Sequence, residues 1–344
     1  MELVKNKSIV PRLDITYFLN PDYIYVPAKK IYVKDHEYVY KNQIVADTNS
    51  SSISGHVLGI KKCNIMGKKQ TTLVIQNDYR EYFKETNKKE KITIPNMLKV
   101  LSNEKELLDK FKSSKTFNNI VVYAINDILE FYDKLFTMYG CNNNMLVIKN
   151  TDSSIIEECL NTIGSYPEIN LTLIHDEYLL ENSKYLGNYL KLKGNTLYLK
   201  VSELLKIYNL FKGNVKTTKL ITISGDAIKE NKVLRVKINT SLKDVLDKFI
   251  NIIDEDYDIL INGLMNGFII KNIDDFIITK DITSINIMKK KDIIKNECIK
   301  CGKCISICPE RVNPLSLRNK DKCIDCGLCS YICPCNINLR ERLR

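Results

Sequence analysis

CIKCGKCISICP, from Cys298 to Pro309, and CIDCGLCSYICP, from Cys323 to Pro334, are two copies of one pattern, CxxCxxCxxxCP. With Cys335 they place nine of the chain's twelve cysteines in its last 47 residues. This is the spacing of a loop that wraps a 4Fe-4S cube. Thiolates at i, i+3 and i+6 reach three iron corners, and the fourth cysteine, set off by one more residue and followed by proline, points to the neighbouring cluster. The crossing predicts one ligand set of Cys298, Cys301, Cys304 and Cys333 and a second of Cys323, Cys326, Cys329 and Cys308. Gly302 and Gly327 hold equivalent places between the second and third ligands. A missing side chain there lets the backbone fold close around a cube and aim amide N–H groups at sulfur. The chemistry expected of this tail is the movement of single electrons through two 4Fe-4S clusters.

Structural zinc is the competing reading. Zinc sites pair two CxxC knuckles and close on four ligands, which leaves the third cysteine of each triplet unexplained. A disulfide framework belongs to secreted chains, and the opening MELVKNKSIVPRLD lacks the apolar stretch of a signal peptide. Cys335 is surplus to the eight: a free thiol beside the cluster, or a partner in ligand exchange. Cys63, Cys141 and Cys159 are scattered among apolar residues and read as small core hydrophobes. His36, His56 and His175 are too dispersed for a metal triad and read as structural.

At 344 residues the chain is too long for a small ferredoxin alone, so the clusters are one module among two to four folded units. Polar residues interrupt every apolar run short of a membrane span, which predicts a soluble or peripheral protein. The net charge of +11 comes from lysine spread along the whole chain, with no nucleic-acid signature beside it, so nucleic acid is not an expected partner. Lys289, Lys290, Lys291, Lys295, Lys300 and Lys303 crowd the first cysteine motif. They form either a solvated, charge-compensating face or a docking patch for an acidic electron carrier or anionic lipid.

Periodicity organises the rest into an α+β multidomain chain. Tyr23–Val26, Lys30–Val33, Tyr38–Tyr40, Gln43–Ala46 and Ser52–Ile60 alternate as short strands, and YVYKNQIVADTNSSSISGHVLGI resembles a lipoyl-type half-barrel. No lysine stands at its Asn49–Ser52 turn, so a docking or scaffold role is expected and a swinging covalent arm is not. A polar, lysine-rich and partly helical stretch over Lys84–Leu107 reads as a surface linker. NNIVVYAI, NMLVIKN and INLTLIHD then read as strands, with helices over Asp127–Tyr139, Asp152–Ile163 and Leu179–Leu192, the alternation of a parallel layer. Asp127 and Asp152 are expected helix caps, and Gly140, Gly164 and Gly194 expected stops. KLITISGDAI and VLRVKINTSL read as strands, Leu242–Ile253 as a helix, DILINGLMNGFIIKN as a bend and Met288–Asn296 as a lysine-rich helix. The expected boundaries are a barrel-sandwich over 1–80, linker plus Rossmann-like α/β layer over 81–215, a β-grasp-like unit over 216–288 and a bacterial-type double-cluster ferredoxin module over 289–344.

In this order of units the chain resembles the RnfC-type iron-sulfur component of the Rnf (also Rsx) electron transport complex. ECIKCGKCISICPERVNP and CIDCGLCSYICPCNINLRERLR carry the likeness most specifically, with Asn313, Pro314, Ser330 and Tyr331 in place. Gly225, Asp226 and Thr240 agree with the family's β-grasp segment, as do Gly263, Met265, Gly267, Thr279 and Lys280, whereas Leu264 stands where the family has proline. The resemblance implies partners: other subunits of a redox complex, integral membrane subunits among them, and a small electron carrier or reductase; through those subunits it implies a cytoplasmic protein, peripheral on the inner face of the plasma membrane. Members that use NADH and FMN carry a glycine-rich phosphate loop between barrel and α/β layer. This chain has no glycine between Gly67 and Gly140, and AINDILEFYD, with Asp127, Glu130 and Asp133, replaces the family's acidic, proline-containing segment. The expectation is therefore an electron relay without FMN. A flavin-dependent NADH dehydrogenase component, and a scaffold whose clusters are mainly structural, stand as the alternatives.

Overall fold

Alternating burial makes the first strands. In YIYVP, Ile24 and Val26 are fully buried while the tyrosines beside them keep partial exposure, the signature of a ribbon with one face to the core. The computed structural model describes residues 14–47, 49–84, 91–102, 104–112, 116–123, 129–150, 153–213, 216–263, 265, 267–290 and 297–343. It divides into two compact units, one of Lys84–Lys216, the other of Pro11–Phe83 with Thr217–Arg344. No helix among the described residues is long and apolar enough to cross a membrane.

The first strands are β1 (Ile15–Phe18), β2 (Tyr23–Pro27), β3 (Tyr38–Val39), β4 (Ile44–Ala46), β5 (Asn49–Ser50), β6 (Gly55–Ile65) and β7 (Lys68–Asn77). An antiparallel sheet of order β2-β7-β6-β3 and the β4-β5 pair enclose Val39, Val45, Ile53, Val57, Leu73 and Ile75. Each such side chain, taken fully out of water, stabilises by about 1.5–3 kcal/mol. The Ser54-Gly55 corner depends on a missing Cβ, which at Gly55 (φ +153°) would lie 1.8 Å from the Gln76 carbonyl oxygen. Two expectations change here. Lys30–Val33 is not a strand and contributes only a bridge from Ile31 to Ala46. β1, inside the expected 1–80 barrel, runs instead in a later sheet.

In the unit of Lys84–Lys216, α1 (Ile94–Val100) and α2 (Lys105–Lys112) precede β8 (Asn119–Tyr123), α3 (Leu129–Tyr139), β9 (Asn143–Lys149), α4 (Ser153–Ile163) and β10 (Ile169–Ile174). A 3-10 turn (Tyr178–Glu181), α5 (Ser183–Tyr189), β11 (Thr196–Leu199) and α6 (Val201–Phe211) follow. The four strands are parallel in the order β10-β9-β8-β11. Both faces are buried. Ile120, Val122, Leu146 and Ile148 meet residues of α1, α2, α3 and α6, whereas Val121 and Val147 meet Leu180 and Leu186 opposite.

The segment read as a surface linker is therefore structural: Met97, Leu101, Leu107 and Phe111 enter the core, and Thr93 caps α1 by accepting from the Asn96 amide. The expected helix over Leu179–Leu192 is broken at Asn182. Its backbone is extended and its side chain accepts from the Lys184 and Tyr185 amides, which starts α5 afresh. The expected caps Asp127 and Asp152 lie outside the described residues.

The remaining sheet elements are β12 (Thr218–Ser224), β13 (Lys232–Lys237), β14 (Thr240–Ser241), α7 (Leu242–Phe249), β15 (Tyr257–Ile261), β16 (Phe268–Ile270), β17 (Ile277–Ile278) and β18 (Ser284–Lys289). A six-stranded sheet runs β1-β13-β12-β18-β15-β16, with β1 parallel to β13 in the register Ile15↔Val233. α7, capped by Ser241 on the Asp244 amide, lays Val245 and Leu246 against Ile223, Leu234 and Ile285. Hydrogen bonds tie this sheet to the first one, from the Tyr25 amide to the Asn239 carbonyl (2.8 Å) and from the Ser52 hydroxyl to the Ile238 carbonyl (2.7 Å). Met288 and Lys289 belong to β18 and not to the expected lysine-rich helix, because they complete its pairing with β15; residues 291–296 lie outside the described residues.

Candidate metal centre

The two cysteine repeats follow one backbone course. In each, a four-residue helix starts behind a glycine: α8 (Lys303–Ser306) behind Gly302 at φ 75° and α9 (Leu328–Tyr331) behind Gly327 at φ 79°. Positive φ recurs at Lys300 (54°) and Asp325 (53°), and again at Arg311 (50°) and Asn336 (54°), so each of these left-handed residues has its counterpart in the other repeat. A Cβ built on Gly302 would meet nothing within 4 Å. The left-handed backbone there favours glycine by itself.

These loops bring the cysteines together in two groups. One cavity is lined by Cys298, Cys301, Cys304 and Cys333, with Cys335 beside them. The other is lined by Cys323, Cys326, Cys329 and Cys308. Each group takes three thiols from one repeat and one from the other. The C-terminal helix α10 (Leu339–Leu343) serves both walls, with Leu339 on the first cavity and Arg340 and Leu343 on the second. Val312, Leu328, Leu339 and Leu343 are buried, so apolar side chains screen the sulfurs from water.

The two cavities differ in access. Cys298 and Cys301 are exposed and Ile299 between them is 66% exposed, whereas the four thiols of the second cavity are all partly covered. Burial pushes the Cys326 thiol up to about 11 and raises those of Cys304 and Cys329, against backbone amides that act the other way. Any ion or cluster that takes these sulfurs as thiolates must displace their protons. Amides also point at Cys308 Sγ, from Val312 (3.3 Å), and at Cys323 Sγ, from Asp325 (3.4 Å).

Four thiols around one cavity form the donor set that a cube with four iron corners needs. A single tetrahedral ion asks for sulfurs drawn to about 2.3 Å from one point. Among the described residues no group of three or more His, Cys, Asp or Glu side chains is already drawn together as a metal site.

One pair of functional residues was not legible in the spacing. Arg340, 8% exposed, donates from Nε to Asp325 Oδ1 (2.6 Å) and from a terminal nitrogen to Oδ2 (2.9 Å). This clamp holds the loop between Cys323 and Cys326, with both residues on the second cavity. The counterpart of Asp325 on the first cavity is Lys300, of opposite charge. Only the alternating charge of RERLR hinted at a structural arginine.

Elsewhere the lysine patch is partly engaged: Lys289 pairs with Asp254 (3.4 Å) and Lys290 with Asp256 (3.0 Å). Lys291 and Lys295 lie outside the described residues. His36 and His56 lie among the first strands and His175 in the other unit, and Cys63, Cys141 and Cys159 are buried.

Comparison with known proteins agrees with the resemblance read from the residues: the chain is similar to the RnfC-type component of ion-translocating oxidoreductase complexes. The C subunit of the proton-translocating ferredoxin:NAD+ oxidoreductase complex of Clostridium ljungdahlii is 37% identical over 102 residues, 29% of this chain and 22% of that protein. The C subunit of the Na+-translocating ferredoxin:NAD+ oxidoreductase complex of Acetobacterium woodii is 23% identical over 192 residues, 52% of this chain and 43% of that protein. The C subunit of the ion-translocating oxidoreductase complex of Methanosarcina acetivorans is 27% identical over 97 residues, 27% of this chain and 21% of that protein. The chain thus spans less than half the length of the curated relatives it matches. No family model matches it.

Proposed function

We propose that this chain is the electron-transfer subunit of an Rnf-like ferredoxin:NAD+ oxidoreductase complex, relaying single electrons through two 4Fe-4S clusters held by its C-terminal cysteines. The observation that carries this reading is the sorting of eight cysteines into two groups of four, each crossed between the repeats. Cys298, Cys301, Cys304 and Cys333 hold the first cluster, and Cys323, Cys326, Cys329 and Cys308 the second. When bound, a 4Fe-4S cluster supplies a one-electron carrier whose potential follows burial, net charge and hydrogen bonds to sulfur. The chain contributes those controls: apolar side chains exclude water, the Val312 and Asp325 amides donate to sulfur, and Arg340 fixes the loop of the second cavity.

Partners supply the chemistry at both ends. The exposed Cys298–Cys301 loop, with Lys300 and Lys303, suits contact with an acidic electron carrier or reductase. Association with integral membrane subunits would hold the chain at the cytoplasmic face of a membrane. The test is anaerobic purification followed by iron and sulfide analysis, with about eight of each per chain expected. Low-potential EPR signals on reduction and membrane subunits in a mild-detergent pull-down complete it. A chain that carries zinc and no sulfide overturns the reading.

One observation favours a second reading, an FMN-dependent NADH dehydrogenase component. The parallel order β10-β9-β8-β11 reverses direction between β8 and β11, and open α/β sheets bind ligands at the carboxyl end of such a switch. Against it stands the lack of any glycine from 68 to 139. Reconstitution with FMN and titration with NADH decides between them: bound flavin and reduced clusters establish the second reading.

A further inference from the structure

Five thiols line the first cavity, one more than a cube has corners. Cys335 stands there with Cys298, Cys301, Cys304 and Cys333. Its side chain is buried, 4% exposed, is in no disulfide and makes no hydrogen bond or ion pair among the described residues. Repeat symmetry does not account for it. Cys308-Pro309-Glu310 in the first repeat matches Cys333-Pro334-Cys335 in the second, and the following residues, Arg311 and Asn336, share one left-handed conformation. Glu310 is not among the residues lining the second cavity. The backbone is repeated, and a buried thiol has been placed on one site only. That site is the one with two exposed ligands.

We propose that Cys335 is a reserve ligand of the first site, able to take the corner held by Cys333. The inference rests on the two-cluster reading above. Two residues of chain separate the pair by at most about 7 Å, so a small shift of the Pro334–Cys335 backbone exchanges one sulfur for the other. In the exchange the Cys335 S–H bond breaks, an S–Fe bond forms and the proton passes to solvent. A Cys333 sulfur that leaves iron takes up a proton, and no electron is gained or lost.

The test uses the full chain reconstituted anaerobically with ferrous iron and sulfide, read as iron and sulfide per chain and as the EPR of the reduced protein. Wild type and Cys335→Ala are expected to hold about eight irons. Cys333→Ala is expected to keep about eight with shifted g values, whereas Cys333→Ala/Cys335→Ala falls to about four. Cys308→Ala, which has Glu310 where the other repeat has a cysteine, also falls to about four. Loss of four irons from Cys333→Ala alone, with wild type full, overturns the inference and leaves the two-cluster reading standing. A wild type without sulfide defeats both. If Cys333→Ala is insoluble, Cys333→Gly with and without Cys335→Ala gives the same comparison, since neither residue offers a donor atom: retention in the double variant shows that Cys335 is not used.

Discussion

Lys237, at the end of β13, has only 2% of its side chain exposed, and among the described residues its partner is Glu81. Glu81 also accepts from Lys41, so one carboxylate stands between two cations. Burial by itself would raise the Glu81 carboxyl. The hydrogen bonds from Lys237 and Lys41 outweigh it and hold the group below its ordinary value. Glu81→Ala leaves the Lys237 ammonium inside without a counter-charge. Breaking a fully buried pair at one end costs about 3–5 kcal/mol. The Glu81 side chain is 35% exposed, so water already screens part of the pair. The expected loss is therefore about 2–3 kcal/mol. Glu81→Ala/Lys237→Met should recover most of it, to within about 1 kcal/mol of wild type, because methionine fills the space with no charge to desolvate. Urea unfolding of wild type, Glu81→Ala, Lys237→Met and the double variant closes the cycle. The pH dependence has a definite sign. A depressed carboxylate contributes fully above its unfolded value of about 4.3, and that contribution is lost as pH falls through the lower folded value. The gap between wild type and Glu81→Ala should then be complete at neutral pH and shrink in acid. No gain from Lys237→Met in the Glu81→Ala background, or a gap that persists unchanged at low pH, would show that the buried charge is not what Glu81 offsets.

Cys308→Ala and Cys326→Ala lie in different repeats and line one cavity. Both should lose the same EPR signal and about four irons, while Cys301→Ala loses the other. Arg340→Met should destabilise the tail by about 1–2 kcal/mol by urea unfolding, since Asp325 is half exposed and the clamp partly screened. It should also lower the potential of the cluster proposed for the second cavity in a redox titration, because a cation that favours the reduced state is removed. An unchanged potential would show that Arg340 acts on the loop alone. Asn182→Ala removes the cap of α5 and should cost about 1 kcal/mol in thermal unfolding, with iron content unchanged.

The strands of the parallel layer were legible because buried strands read as continuous apolar runs, in NIVVY and NMLVIK as much as in INLTLI. α1 and α2 were not. Their core positions, Met97, Leu101, Leu107 and Phe111, form a sparse stripe among lysines that by composition looks solvated. The break at Asn182 was missed for a different reason: an asparagine inside a helical pattern caps or does not according to its own rotamer. β1 carries no local sign of its partner, since Val233 lies far along the chain and the pairing is decided by which sheet edge is free.

The order of residues alone was enough to set where the eight thiols of the repeats stand relative to one another within each loop. Ligand spacing is a constraint of a few bonds, and no distant residue is needed to satisfy it. Folding in three dimensions was required to clamp Asp325 with Arg340 on the second cavity and to bury Lys237 against Glu81. Those contacts join segments whose separation along the chain sets no distance between them, so they exist only once the backbone has folded and side chains compete for the same interior space.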